Sequence, residues 1–201
     1  MTPNRIALLL LASGIGERFE DGDKLLATLN GEPVMAHAAK SLTSIPLAGR
    51  YAVVGTSQTP RREQLTSLGW SLIDNPDPAR GQGKSLALGM TALSQQVAVD
   101  AVLVLLADMP FISDAHLIGL AKTLTKSTNA VMSQCNGVLC PPAIFSRTAF
   151  EKLQALDGDQ GARHLFHSLT LTKTYPLSAH MARDIDHVTD LQAAEEAFHG
   201  R

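Results

Sequence analysis

The stretch that decides the fold is residues 8–26, LLLLASGIGERFEDGDKLL. It begins as an apolar run, passes through Gly14 and Gly16, and then brings Arg18 and Lys24 ahead of a second apolar pair. A strand that runs directly into glycines presents a row of backbone N–H groups at its carboxyl end, and such a row binds anions. Arg18 adds a fork of donors and Lys24 adds a mobile positive charge. The stretch therefore predicts a buried strand followed by a polyphosphate-binding loop.

The glycines match neither of two familiar phosphate-binding motifs. A Walker loop would continue with Gly-Lys-Ser/Thr, whereas Gly16 is followed by Glu17 and Arg18. The dinucleotide fingerprint would place a third glycine where this chain has Phe19. Taken alone, a Gly-X-Gly after an apolar run is equally typical of an ordinary tight turn. The nearby Arg18 and Lys24 are what favour phosphate binding.

The composition predicts one well-buried domain over residues 1–201. Of the 201 residues, 45% are hydrophobic and 18% are charged, which suits a single compact core. Aromatic residues are few, and strands rich in Val, Leu and Ala indicate helices on both faces of a sheet. The net charge of -2 leaves no broad basic surface, so we expect no nucleic acid partner.

The cysteines and apolar runs indicate a cytoplasmic protein. Cys135 and Cys140 fit neither a Cys-X-X-Cys redox pair nor a zinc framework, so we expect two reduced thiols. The apolar run at residues 6–12 resembles a short secretory signal, but it leads directly into the glycine loop and is interpreted as a strand. No other run has the length of a membrane span, so no membrane partner is expected.

Strand-like and helical segments alternate along the chain. Strands are predicted at residues 51–54, 70–73, 101–106, 130–133 and 169–175, and helices at residues 34–42, 61–68, 86–93, 115–126, 148–155 and 189–198. This alternation implies parallel strands joined by right-handed crossovers, with ligands collecting at the carboxyl ends of the strands. The predicted fold class is therefore α/β: a three-layer α/β/α, Rossmann-like fold with a mostly parallel central sheet.

A carboxylate follows the apolar strand predicted at residues 101–106. Asp108 stands just after this run, and a desolvated carboxylate needs a partner. Mg²⁺ is a suitable one, with Mn²⁺ as the alternative ion, because it takes few carboxylates and completes its shell with substrate phosphates. The rival interpretation makes Asp108 the cap of the helix near Asp114, but Ser113 is better placed for that role.

Two further segments are predicted to be loops, and the first is compatible with either a structural or a binding role. Residues 75–85, NPDPARGQGKS, are dense in turn formers, and Ser85 is placed to cap the helix predicted after them. A helix start there would also present N–H groups to a base or phosphate. Residues 136–142 are predicted to form a turn.

The segment LDGDQGAR at residues 156–163 allows two interpretations as well. Asp159 could cap the following helix, or Arg163 and the Gly161 amide could face a phosphate. His164 and His167 lie one helical turn apart, a spacing used in metal sites. We predict no metal there, because the sequence offers no third ligand.

Three of these segments together resemble a known family. LASGIGERFEDGDKLL resembles the signature of the nucleotidyltransferases that share a glycosyltransferase-A-like fold. LLADMP at residues 105–110 and LDGDQGAR at residues 156–163 are most similar to the molybdenum cofactor cytidylyltransferase and guanylyltransferase branch. The chain departs from the family at Ser13, where Ala or Gly is usual, and at residues 140–142, Cys-Pro-Pro, where relatives usually carry Gly-X-Pro.

The resemblance implies an activity. CMP would be transferred from CTP to the phosphate of molybdopterin or its molybdenum-loaded form, with release of pyrophosphate. GTP is the alternative donor, and the small residues Ala12 and Ser13 favour CTP. A molybdoenzyme apoprotein would receive the product. Two other hypotheses stay open: a sugar-phosphate acceptor, and a non-catalytic protein that holds a pterin cofactor and delivers it.

The resemblance also implies roles for individual residues. The donor nucleotide would be contacted by Leu11, Ala12, Ser13, Gly14, Gly16, Arg18, Lys24, Asn75, Gly83 and Ser85. The catalytic residues would be Arg18, Lys24 and Asp108; Asp108 and Asp186 would hold the metal; Gly161 and Arg163 would hold the acceptor. No nucleophilic side chain is required, because the attacking oxygen belongs to the substrate.

Overall fold

The computed structural model describes residues 5–41, 47–96 and 99–199. Its strands are β1 (Ile6–Leu11), β2 (Thr28–Leu29), β3 (Glu32–Pro33), β4 (Gly49–Gly55), β5 (Ser71–Asn75), β6 (Ala101–Leu106), β7 (Ala130–Cys135), β8 (Val138–Ser146) and β9 (Thr172–Pro176). Its helices are α1 (Val34–Ala39), α2 (Thr59–Ser67), α3 (Gln82–Ser94), α4 (Asp114–Thr123), α5 (Phe150–Gln154), α6 (Ala162–Phe166) and α7 (Val188–His199). The helix predicted at residues 34–42 ends at Ala39, and Leu42 lies outside the described residues.

A seven-stranded sheet in the order β5-β4-β1-β6-β8-β7-β9 forms the centre of the molecule. The four strands from β5 to β6 are mutually parallel, β8 is antiparallel to both of its neighbours, and β9 is parallel to β7. The uninterrupted apolar sequences of β1 and β6 suit this arrangement, because a parallel strand is buried on both faces. The predicted mostly parallel sheet is confirmed.

Helices cover both faces of the sheet. Leu8 and Leu10 of β1 belong to a cluster that includes residues of α1, α2 and α4. Leu9 and Leu11 point the other way and join a cluster with residues of α3, α5 and α6. This alternation follows from the two-residue period of a strand, and it confirms the predicted α/β/α layers. Over the described residues, no helix has both the length and the apolar character needed to cross a bilayer.

The turn predicted over residues 136–142 is wrong in extent. Only Asn136 and Gly137, with φ of 49° and 82°, turn the chain, and β8 begins at once with Val138. Positive φ at both central residues is the geometry of a two-residue hairpin turn. Prolines 141 and 142 lie within β8, although a proline donates no ladder hydrogen bond. The register shift opposite them, between Met132 and Ser133, accommodates them.

The carboxyl ends of the parallel strands gather the segments that the sequence singled out. The loops after β1, β5 and β6 all leave from this edge of the sheet. The segment before α7 is brought to the same edge by a backbone hydrogen bond, since the Ile185 N–H donates to the Asp108 carbonyl at 3.0 Å. Ile185 is buried beside Phe19 and Leu29, which turns the neighbouring Asp186 toward Asp108.

The central strands should carry the stability of the fold. Leu103→Ala, at a fully buried position of β6, should lower the free energy of unfolding by about 2–5 kcal/mol, because it removes apolar contacts and leaves a cavity. The same change at Leu171, whose side chain is 64% exposed, should alter it by at most about 0.5 kcal/mol. Urea denaturation of both variants measures the difference. Equal losses would contradict the assignment of the core.

Candidate active site

The loop after β1 is held from one side and open on the other. The carbonyls of Ala12, Ser13 and Gly14 all accept hydrogen bonds from side chains of α2 or the residue before it. Among the described residues, the amides of residues 14–18 donate to no protein acceptor. Gly16 has φ +65°, and a Cβ there would lie 3.4 Å from the Lys24 side chain. The loop therefore offers a row of unpaired amides, as an anion cradle requires.

The Lys24 ammonium joins two carboxylates that are distant in sequence. Its Nζ donates to Asp108 Oδ2 and to Asp186 Oδ1, each at 2.7 Å, and the Lys24 side chain is only 10% exposed. Arg18 Nη1 lies 3.3 Å from the other oxygen of Asp186, with its own side chain largely exposed. The structure thus brings the predicted catalytic and metal-binding residues together.

These contacts keep the cluster charged. Burial by itself would lower the pKa of Lys24, but the charges and hydrogen bonds of Asp108 and Asp186 outweigh it and raise that pKa. The hydrogen bond from Lys24 holds the pKa of Asp186 below its usual range despite partial burial, with help from the Lys24 and Arg18 charges. Both Lys24 and Asp186 are therefore ionised at neutral pH.

The donor set fits a divalent cation. Asp108 Oδ1 is buried and, within the described part of the chain, has no hydrogen-bond partner. A carboxylate oxygen stripped of water without a partner is costly, so it is available to a ligand. Asp108 and Asp186 together supply the one or two carboxylates with which proteins usually hold Mg²⁺ beside substrate phosphates.

The loop and the charged cluster line a cleft of about 420 Å³. Of the predicted nucleotide and metal residues, the cleft is lined by Leu11, Ser13, Gly14, Gly16, Arg18, Lys24, Ser85, Asp108 and Asp186. Three others, Ala12, Asn75 and Gly83, lie behind its wall and are not among the lining residues. These three residues support the residues that do face the cleft.

Asn75 supports the wall from inside the protein. It is fully buried, and its Nδ2 donates to Ser13 Oγ at 3.2 Å and to Ser85 Oγ at 3.1 Å, while those hydroxyls are 2.8 Å apart. The prediction that Ser85 caps α3 is wrong. The helix begins at Gln82 with Gly81 as its cap, and the Ser85 hydroxyl lies 3.2 Å from the Gly81 carbonyl. The turn formers of this segment concealed the first helical turn.

Gly83 lies against the segment predicted to hold the acceptor. Its N–H donates to the Gly158 carbonyl at 2.8 Å, and an added Cβ would lie 2.6 Å from the Gln160 carbonyl oxygen. Only glycine permits this approach of two backbones. The alternative that Asp159 caps α6 is wrong, because Gly161 occupies the cap position without any side-chain bond.

A second pocket of about 640 Å³ adjoins the cleft. Its walls are largely apolar, and it contains both predicted acceptor residues, Gly161 and Arg163, together with His164 and His167. The two cavities share the lining residues Leu11, Gln82, Leu106 and Asp159, so they lie side by side. Among the described residues, no group of three or more His, Cys, Asp or Glu is arranged to hold a metal.

Sequence reasoning missed three residues that shape the site. Gln58, just before α2, and Arg61 of α2 donate hydrogen bonds to the loop carbonyls. Gln82 lines both cavities. Arg61 stands four residues before the buried Leu65, a spacing that places it on the apolar face of its helix. A charged residue on the apolar face of a helix is the sequence signal that could have identified Arg61. Gln82 lies between two glycines of the 75–85 segment and could also have been identified from the sequence. Nothing in the sequence marks Gln58 as a site residue.

The comparison with protein families shows which family the chain belongs to. Residues 8–174 match the MobA-like NTP transferase domain. The chain belongs to this family. It is also 30% identical over 195 residues to the purine catabolism protein PucB of Bacillus subtilis, a match that covers 94% of this chain and 92% of PucB. The predicted family and the predicted nucleotidyltransferase activity are confirmed, and this MobA-like transferase therefore acts on nucleoside triphosphates.

Solved structures show the same fold. Rv0371c from Mycobacterium tuberculosis has a TM-score of 0.81 at 22% identity, covering 98% of this chain and 100% of that one. Its manganese complex has a TM-score of 0.77 at 19% identity, covering 96% and 99%. Molybdopterin-guanine dinucleotide biosynthesis protein A from Archaeoglobus fulgidus has a TM-score of 0.65 at 17% identity, covering 97% and 100%.

The carboxylate of Asp108 should be needed for metal binding. Asp108→Asn should lower kcat by about 100-fold or more, because a catalytic metal contributes several kcal/mol to transition-state stabilisation. Titration calorimetry with Mn²⁺ should show weaker binding in the same variant. Asp100→Asn is the matched control, since Asp100 pairs with Arg5 at the opposite edge of the sheet. Equal activity and equal Mn²⁺ affinity in both variants would contradict the metal site.

Proposed function

We propose that this transferase moves CMP from CTP to the phosphate of a molybdopterin-type cofactor, with Mg²⁺ as the metal. The observation that supports this best is the convergence of a glycine loop, two cations and two carboxylates on a cleft that adjoins an apolar pocket. A polyphosphate fits the first cavity and a planar heterocycle with a phosphate fits the second. The product would pass to a molybdoenzyme apoprotein in the cytoplasm.

The donor triphosphate would lie along the loop after β1. The free amides that follow Ser13 would bind its oxygens, with Gly14 and Gly16 allowing close approach. Arg18 and Lys24 would offset its negative charge, Arg18 from the solvent side and Lys24 from the floor of the cleft.

Asp108 and Asp186 would hold Mg²⁺, with Mn²⁺ as the alternative ion. When bound, the cation offsets charge on the phosphates and helps to align them. Lys24 donates to the same two carboxylates, so the residues that would hold the cation are also those that fix the Lys24 ammonium. Arg18, Lys24 and the metal would then be three cationic groups near the reacting phosphate.

The acceptor would occupy the second pocket. Arg163 would bind its phosphate, and the apolar walls would contact its ring system. The predicted contact from the Gly161 amide is not available in this conformation, because that N–H donates to the Asp159 carbonyl at 2.9 Å. A phosphate oxygen of the acceptor would form a bond to the α-phosphorus of CTP while the bond to pyrophosphate breaks. The shared lining residues at the junction of the cavities would hold both substrates for this in-line transfer.

The choice of base is the finest part of the proposal. CTP is preferred on the resemblance and on the small residues Ala12 and Ser13, with GTP as the alternative. One structural relative is named for a guanine dinucleotide. The Ser13, Asn75 and Ser85 side chains bond one another, so recognition of the base would rely on backbone groups and on Gln82.

Pyrophosphate release tests the substrates directly. The protein would be incubated with Mg²⁺ and with ATP, CTP, GTP or UTP in turn, with and without molybdopterin. We expect release with CTP only when the pterin is present, because the attacking oxygen comes from the acceptor. Asp108→Asn protein provides the background rate.

Three outcomes would contradict this assignment. Release that depends on GTP and not on CTP would show that GTP is the donor. Release that depends on a sugar 1-phosphate and not on the pterin would show that the acceptor is a sugar phosphate. Release with CTP alone, at the same rate without any acceptor, would indicate hydrolysis.

Arg163 should affect the acceptor alone. Arg163→Gln should raise the KM for molybdopterin by about 10- to 100-fold, the equivalent of one charge-assisted hydrogen bond, and leave the KM for CTP unchanged. Arg5→Gln is the control, because Arg5 pairs with Asp100 at the opposite edge of the sheet. Steady-state kinetics with each substrate varied in turn gives both constants. A rise in the KM for CTP alone would refute the role of Arg163.

A further inference from the structure

Arg61 is a buried cation on the side of the loop that faces away from the cleft. Only 2% of it is exposed, and its guanidinium makes four hydrogen bonds. Nη1 donates to the carbonyls of Ala12 and Gly14, each at 2.8 Å. Nε and Nη2 donate to the two carboxylate oxygens of Asp23, at 2.6 and 2.7 Å. One side chain therefore joins both ends of the loop.

The bonds to the carbonyls fix which way the loop amides point. A trans peptide is planar, so the carbonyl of one residue and the N–H of the next point in opposite directions. Turning the Ala12 and Gly14 carbonyls toward Arg61 therefore turns the N–H groups of Ser13 and Ile15 away from α2. Gln58 does the same for the Gly14 amide by donating to the Ser13 carbonyl at 3.1 Å.

The bond to Asp23 fixes the other end of the loop. Asp23 immediately precedes Lys24, and its Oδ1 also accepts the Leu25 N–H at 3.0 Å. The bidentate pair with Arg61 is geometrically restrictive, since two parallel hydrogen bonds define both distance and orientation. The backbone from which Lys24 reaches Asp108 and Asp186 is thus tied to the backbone that would bind the triphosphate.

We infer that Arg61 is a positioning residue for nucleotidyl transfer, which acts by holding residues 12–24 in the conformation that receives the triphosphate. It does not line the cleft and has no donor directed at a substrate. Lysine could not replace it, because a single ammonium cannot span two carbonyls and a carboxylate in this fork geometry. The inference rests on the proposed role of the loop in binding the donor.

Arg61→Lys tests this inference, with Arg62→Lys as the matched control. Arg62 is the next residue of α2 and pairs with Asp74 at 2.6 Å, away from the loop. Arg61→Lys should lower kcat by about 10- to 100-fold, as expected when a supporting contact is lost, with the KM for the acceptor unchanged. Arg62→Lys should leave both constants unchanged.

Loop order in the ligand-free protein is the second measurement. Backbone ¹⁵N relaxation should show order parameters of about 0.85 for residues 13–18 in the native protein and below about 0.6 in Arg61→Lys. Strand β6 should stay rigid in both proteins. An ordered loop and an unchanged kcat in Arg61→Lys would overturn the inference. Because relaxation needs no substrate, it tests Arg61 even if CTP and molybdopterin prove to be the wrong substrates.

Asp23→Asn serves if Arg61→Lys does not fold. The Asp23 side chain is 30% exposed, so the substitution is milder, and asparagine keeps an acceptor for the Leu25 amide. It should loosen the same loop residues and lower kcat in the same direction, since it weakens half of the fork. Native order parameters and native kcat in Asp23→Asn would also overturn the inference.

Discussion

The Lys24 ammonium between two carboxylates is the contact on which the site depends. Its bonds of 2.7 Å to Asp108 and Asp186 join the loop after β1, the end of β6 and the segment before α7. Two partly buried carboxylates side by side would repel each other, and the single cation offsets that repulsion in a place poor in water. The same contact leaves Asp108 Oδ1 without a partner among the described residues, so the cluster is stable and still able to accept a metal.

A second constraint couples the two cavities. The start of α3 and the loop before α6 touch through their backbones at Gly83 and Gly158, and Arg80 pairs with Asp157 at the surface. The walls of the cleft and of the second pocket are therefore in direct contact. The supports of the donor cleft are buried polar groups. Asn75 and Arg61 each satisfy several partners, which makes their conformations well defined and holds the surface of the cleft in place.

Much of the fold and the site could be predicted because the signals are local. The apolar runs of β1 and β6, the Gly14 and Gly16 loop, and the carboxylate after a buried strand each occupy a few consecutive residues. The failures were also local signals, but misleading ones. Prolines 141 and 142 hid the second strand of a hairpin, because only the register shift opposite them makes room for prolines in a ladder. Turn formers hid the first turn of α3, whose helical conformation depends on packing against residues 157–160.

The sequence by itself determined that this is an α/β protein with a glycine loop after its first strand and with charged residues that follow the loop and the buried strands, since strand period, glycine content and charge can all be seen in the chain. Only the tertiary structure decided that Lys24 lies between Asp108 and Asp186, that Asn75 and Gly83 stand behind the cleft, and that Arg61 ties the loop. Those contacts join residues far apart in the chain. Their distances are set by how helices and strands pack, and the spacing of residues shows which face of an element is buried but not which distant residues meet there.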